Sequence, residues 1–135
     1  MENEKTETIK GVLIDIENDK ANVVEFEDSL QKKYDLLHCD TIDIVSRAIG
    51  HGRSSKRFDI ICDDEGLFNQ NAKISAIDNL GRTMLVGSLL VVNRTDEGET
   101  ASITDEECEF VLDKVQKMYT RRHPEGYLML TQCEY

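Results

Sequence analysis

Residues 50–57 read Gly50-His51-Gly52-Arg53-Ser54-Ser55-Lys56-Arg57, a segment without one apolar or acidic side chain. These are the groups that hold phosphate. Two glycines let backbone amides come close, the arginines offer planar forks of donors, and the serines add hydroxyls. The expected ligand-binding set is Arg53, Ser54, Ser55, Lys56 and Arg57, joined by Arg82, Arg121 and Arg122, with His51, Arg94 and His123 as further helpers. The segment lacks the Gly-Lys-Ser/Thr ending of a P-loop, so a nucleotide hydrolase is not indicated. The plainer reading of the same residues is a solvated hairpin tip.

Three other groupings could carry chemistry. Glu106, Glu109 and Asp113, with Glu97 and Glu99 nearby, offer a row of carboxylates that could imitate a phosphate backbone and occupy a basic channel on another protein. Their plainer role is solubility. Asp63, Asp64, Glu65, Asn69 and Asn71 gather oxygen donors of the kind Ca²⁺ or Mg²⁺ prefers. They miss the spacing of an EF-hand, and a turn whose carboxylates bond backbone amides is favoured, so no metal and no cofactor is expected. Cys39 beside His38, and Cys62 near the acidic turn, are the candidates for a nucleophile. Neighbours on a strand point to opposite faces, and a free cysteine at a core position usually behaves as a small hydrophobe, so no enzyme is expected.

Composition narrows the partners. The 135 residues carry 27 acidic against 16 basic side chains, a net charge of −11, which opposes duplex DNA and anionic membranes. The imbalance is uneven. Residues 46–57 hold Arg47, Arg53, Lys56 and Arg57 with no acid, and Arg121 and Arg122 form a second basic island. The four cysteines form no CxxC pair, the first ten residues lack the pattern of a secretory signal, and no apolar run is long enough to span a bilayer. A cytoplasmic protein with reduced thiols is expected.

The elements that must position these groups centre on 58–93. Asp59-Ile60-Ile61-Cys62 reads as a strand stopped by Asp63-Asp64-Glu65-Gly66, and Met84–Val92 is the most apolar run, read as one buried strand. Ile9–Ile16 and Ala21–Phe26 flank turn residues and predict an N-terminal hairpin. A helix is expected over 28–37, capped by Asp28. Residues 42–47 and 58–62 predict a second hairpin with the basic segment at its tip. A short element is expected at Lys73–Ile77 and a turn at Asn79–Arg82. Thr104 and Glu107 have capping-box spacing and predict a helix over 104–119, on which Cys108, Val111, Leu112, Val115 and Tyr119 share a face. Pro124 and Gly126 end it, and Tyr127–Thr131 would add a last edge strand. The expected domain plan is a flexible tail over 1–8 and one domain over 9–135. The expected fold class is α+β, a mixed or antiparallel sheet of about five to six strands with two helices packed on one face.

Ile9-Lys10-Gly11-Val12, the block Phe58–Leu67 and Leu85–Val92, followed by a linker and a helix, carry a resemblance that spans Ile9 to about Met118. In them the chain resembles a small family of unknown function common in bacteriophages and mobile elements of Gram-positive bacteria. The shared motifs are structural in flavour and transfer no active site. The resemblance implies an accessory protein with a host-interaction or anti-defence role. The leading expectation is therefore a non-enzymatic inhibitor of a host defence, a homo-oligomer that sequesters a nucleotide-derived signalling molecule. The alternative is an acidic nucleic-acid mimic that binds a basic host defence protein through Glu106, Glu109 and Asp113.

Overall fold

A computed structural model describes residues 8–63 and 73–135. Residues 1–7 of the expected tail lie outside the described residues, and Thr8 already opens a strand. Among the described residues the chain runs β1 (Thr8–Asp15), β2 (Lys20–Glu27), α1 (Leu30–Leu37), β3 (Ile42–Ile49), a 3₁₀ turn (Gly52–Ser54), β4 (Lys56–Asp63), β5 (Ile74–Ile77), β6 (Thr83–Val86), β7 (Leu89–Arg94), β8 (Thr100–Ala101), α2 (Asp105–Asp113), β9 (Val115–Met118), β10 (Tyr127–Leu130) and β11 (Cys133–Glu134). The expected α+β plan, a single sheet of about five to six strands, is corrected: the described chain is mostly sheet, eleven strands in two sheets with two short helices. The larger sheet has seven strands in the order β11-β3-β4-β7-β1-β2, with β8 paired to β7. The smaller has the order β6-β5-β10-β9.

The helices do not share a face. Leu37 of α1 packs with Leu13, Ile61 and Leu90, whereas Cys108 and Val111 of α2 pack with Val12, Ile60 and Val91. Successive residues of a strand point to opposite sides of its sheet, so these adjacent numbers mark two faces. The smaller sheet, through Ala76, Leu85 and Leu130, joins the face that α2 covers. Covering both faces explains why Ile60–Cys62 of β4 and Leu89–Val92 of β7 read as unbroken apolar runs, a pattern that gives no hint of which side each helix takes.

Two turns carry the chain from the smaller sheet back to the larger. Met84–Val92 is not one strand: Thr83–Val86 lies in the smaller sheet, Leu89–Arg94 in the larger, and Gly87 at φ 76° makes the corner. Only glycine takes that conformation at little cost. The neighbouring Ser88 hydroxyl accepts the Ile16 N–H at 3.1 Å and ties the corner to the first hairpin. Downstream, β10 is an interior strand, parallel to β5 and antiparallel to β9, before residues 131–132 return the chain to β11 beside β3.

Helix α2 has the expected capping box, with the Thr104 hydroxyl accepting from the Glu107 N–H and the Glu107 carboxylate accepting from the Thr104 N–H. It stops at Asp113 rather than 119, because residues 115–118 extend to pair with β10. An exposed Tyr119 and a Val115 on a strand thus leave the helical face assigned to them. Helix α1 starts from Ser29, not Asp28: the Ser29 hydroxyl accepts the Lys32 N–H, and Asp28 pairs instead with Lys33 at 2.9 Å. No helix among the described residues is long and apolar enough to cross a membrane.

Candidate anion-binding site

The second hairpin forms as the sequence suggests. Strands β3 and β4 pair from Ile42↔Asp63 to Ile49↔Lys56, and 50–55 make the tip, where Gly50 and Gly52 take positive φ. The tip spends its hydroxyls on itself. Ser54 Oγ donates to the His51 carbonyl at 2.7 Å, and Ser55 Oγ to that of Gly52 at 2.9 Å. Arg53 is exposed beside them.

Lys56 and Arg57 open β4 and therefore diverge. Lys56 points to the α2 side, its Nζ 5.8 Å above the Phe110 ring, which Lys114 also approaches at 5.2 Å. Arg57 points to the α1 side, where Nη1 donates to Ser46 Oγ at 3.0 Å and Nη2 to the Tyr135 main-chain oxygen at 2.7 Å. The expected single clamp is thus split across the sheet.

A different partner meets Arg57. Asp59 pairs with Val92, so the antiparallel register carries Arg94 opposite Arg57. Arg94 grips the buried Asp59 carboxylate with Nε at 2.9 Å and Nη2 at 2.8 Å, and hydrogen bonding to Asp59, followed by its charge, raises the guanidinium above its ordinary range. Ser46, Arg57, Asp59 and Arg94 line one cavity of about 200 Å³ with Phe58 and Asn93. Two guanidiniums and a hydroxyl there face one carboxylate. Arg94 was only a helper in the sequence reading, and Ser46 and Asp59 were outside it. The signal available was register: once β4 and β7 pair, Ser46, Asp59 and Arg94 must share a face.

The remaining expected ligands lie elsewhere. Arg82 binds Asp78 at 2.7 Å within the β5–β6 turn. Burial pushes the Asp78 carboxyl up, but bonds from the Arg82 N–H and side chain and from the Leu80 N–H outweigh it and hold Asp78 below its usual range. Arg82 is a turn-closing residue. Arg121 and Arg122 are exposed in the β9–β10 connection, with His123 packed edge-on against Tyr127 at 5.3 Å. The Gly50 N–H meets the Gln132 carbonyl, so the basic tip lies against the chain just after β10, whereas Arg121 and Arg122 precede that strand.

Glu106, Glu109 and Asp113 are exposed on α2 at i, i+3 and i+7, and so form a row. Lys10 interrupts the acidic end by bonding Asp105, and Glu25 lies across from it on β2. Of the oxygen cluster, Asp63 ends β4, while Asp64, Glu65, Asn69 and Asn71 lie outside the described residues. His38 closes α1 in the left-handed conformation and Cys39 follows it, so that segment is a helix cap and not a strand. Desolvation raises the thiols of Cys39 and Cys108 and pushes that of Cys133 up to about 12, the reverse of an activated nucleophile.

No curated protein and no solved structure matches the chain. A family model does match residues 9–120, the stretch that holds both hairpins, the sheet-switching corner and every residue of the Ser46–Arg94 cavity, and the chain belongs to that family, described as a domain of unknown function, DUF3846.

Proposed function

We propose that this protein works by binding rather than by turnover, and that the ligand is a small phosphate-bearing molecule held at Arg57, Arg94 and Ser46. The observation that carries the reading is that Arg57 and Arg94, from neighbouring strands, line one cavity with the Ser46 hydroxyl and a single carboxylate, Asp59. Like charges set side by side on a sheet repel, and a bridging anion relieves that repulsion. The resemblance to phage and mobile-element proteins favours a nucleotide-derived signal of a host defence as the ligand. Sequestration by a homo-oligomer then accounts for inhibition without chemistry.

Native mass spectrometry of protein purified from cells that make such signals tests the reading. A nucleotide-sized adduct, absent in Arg57→Ala and weakened by salt, is the expected result. An adduct that persists in Arg57→Ala, or a bare protein that binds no nucleotide in calorimetry, defeats it.

A second reading rests on the row Glu106, Glu109 and Asp113, which presents three carboxylates along about 10 Å of helix. It makes the protein an acidic mimic for a basic partner. Reversing those three charges should then abolish inhibition and leave nucleotide binding unchanged, while Arg57→Ala should do the opposite.

A further inference from the structure

Arg47 lies one position away from Ser46 and on the other side of the sheet. It forms no ion pair among the described residues, and its Nε is buried without an acceptor. One guanidinium nitrogen donates to the Ser46 carbonyl at 3.0 Å, and the Tyr135 ring stacks on the group at 4.8 Å. A half-buried, always-charged fork held flat by a ring, with a donor left over, is unusual enough to ask what completes it.

The surroundings narrow the answer. Arg47 lines a cavity of about 300 Å³ between the β3–β4 end of the larger sheet and β6 of the smaller, with Val45, Met84 and Val86 as apolar wall and Asp43 at the rim. Asp63 adds a second carboxylate to the lining. Two carboxylates accompany one guanidinium in this lining, whereas the cavity beside Arg57 has two guanidiniums and one carboxylate, so the two differ in kind. Both signs of charge beside an apolar wall suit a molecule that carries both signs and a short apolar arm. The volume is at the small end for ligand sites.

We infer that this cavity binds a free α-amino acid with an apolar side chain, its carboxylate on Arg47, its ammonium toward Asp43, and its side chain against Val45, Met84 and Val86. Binding places an acceptor at the guanidinium and buries more of the apolar surface of three partly buried residues. The cavity is separate from the one beside Arg57, although both approach Tyr135, whose main-chain oxygen accepts from Arg57 while its ring stacks on Arg47.

Chemical-shift mapping of the full chain with leucine, methionine and phenylalanine, set against their N-acetyl and methyl-ester forms, tests it. Shifts should centre on 43–47 and 84–86, and either blocked form should bind at least about tenfold more weakly, as loss of one charge-assisted contact requires. Arg47→Met should abolish binding, and Asp43→Asn should weaken the free amino acids and their methyl esters but leave the N-acetyl forms, which carry no ammonium, unchanged. If Arg47→Met fails to fold, Val86→Phe, which fills the cavity from an edge strand, should abolish binding instead. Absence of shifts with all three amino acids, shifts centred elsewhere, or equal binding of the N-acetyl forms overturns the inference.

Discussion

Arg94 and Asp59 are joined by two near-parallel N–H···O bonds across β7 and β4, at 2.9 and 2.8 Å, with the carboxylate buried and the guanidinium half exposed. The pair fixes the edge of the candidate phosphate site and at the same time neutralises the charge nearest the core. Its two members are therefore unequal. Arg94→Met strands a buried carboxylate, whereas the double change with Asp59→Asn removes the stranded charge. Thermal unfolding should show the single Arg94 variant less stable than the double variant. Equal melting temperatures would mean that Asp59 is reached by water.

Gly11 is required by the closeness of β1 and β7. A Cβ there would stand 2.7 Å from the Val91 carbonyl oxygen and 3.0 Å from a Val92 methyl. Because the first obstacle is backbone, Gly11→Ala must push two strands apart, and a loss of about 1–3 kcal/mol is expected. Urea unfolding measures it, with Gly98→Ala, where a Cβ meets open space but φ is 88°, as a control for backbone conformation alone.

The Lys10–Asp105 pair predicts a window of pH. The side-chain bond to Lys10 lowers Asp105 below 3.8, and the same bond raises Lys10 above 10.5. A depressed carboxyl contributes stability above its unfolded value and loses it as pH falls through the folded one. A raised amine contributes below its unfolded value and loses it as pH rises through the folded one. The pair therefore acts fully between those limits. Carboxyl titration by NMR should place Asp105 below 3.8 in the native protein and return it toward that value in Lys10→Met.

The thiols should react slowly. Burial raises Cys39 and Cys108 and carries Cys133 to about 12, so little thiolate exists at neutral pH. Alkylation followed by mass spectrometry should modify Cys39, the half-exposed one, before Cys62, Cys108 or Cys133, and faster as pH rises. Rapid labelling of Cys133 in the folded protein would contradict its burial.

Local chemistry made part of this structure legible in the sequence. Turn residues marked both hairpins, and the Thr104–Glu107 spacing marked the start of α2. What escaped was long-range. Nothing in Met84–Val92 distinguishes a nine-residue strand from two strands in different sheets, because Gly87 only permits a corner that Ser88 and Ile16 then hold. The end of α2 was missed because β10, not the helix sequence, draws 115–118 into an extended form. For the site, the basic run 53–57 drew attention to neighbours in sequence, while strand alternation sends Lys56 and Arg57 apart and register brings in Arg94 from 37 residues away.

The switch between sheets also sets an order of events. The smaller sheet needs β10 between β5 and β9, and the larger gains β11 on β3, whose partners Cys133 and Ile49 are 84 residues apart. Contacts so distant along the chain are slow to form, since loop closure precedes any gain from pairing. During synthesis the N-terminal hairpin can form early, but neither sheet is finished until 127–134 have left the ribosome. Until then β5 keeps an open edge where β10 will pair, and an unpaired strand edge is a template for association with other chains.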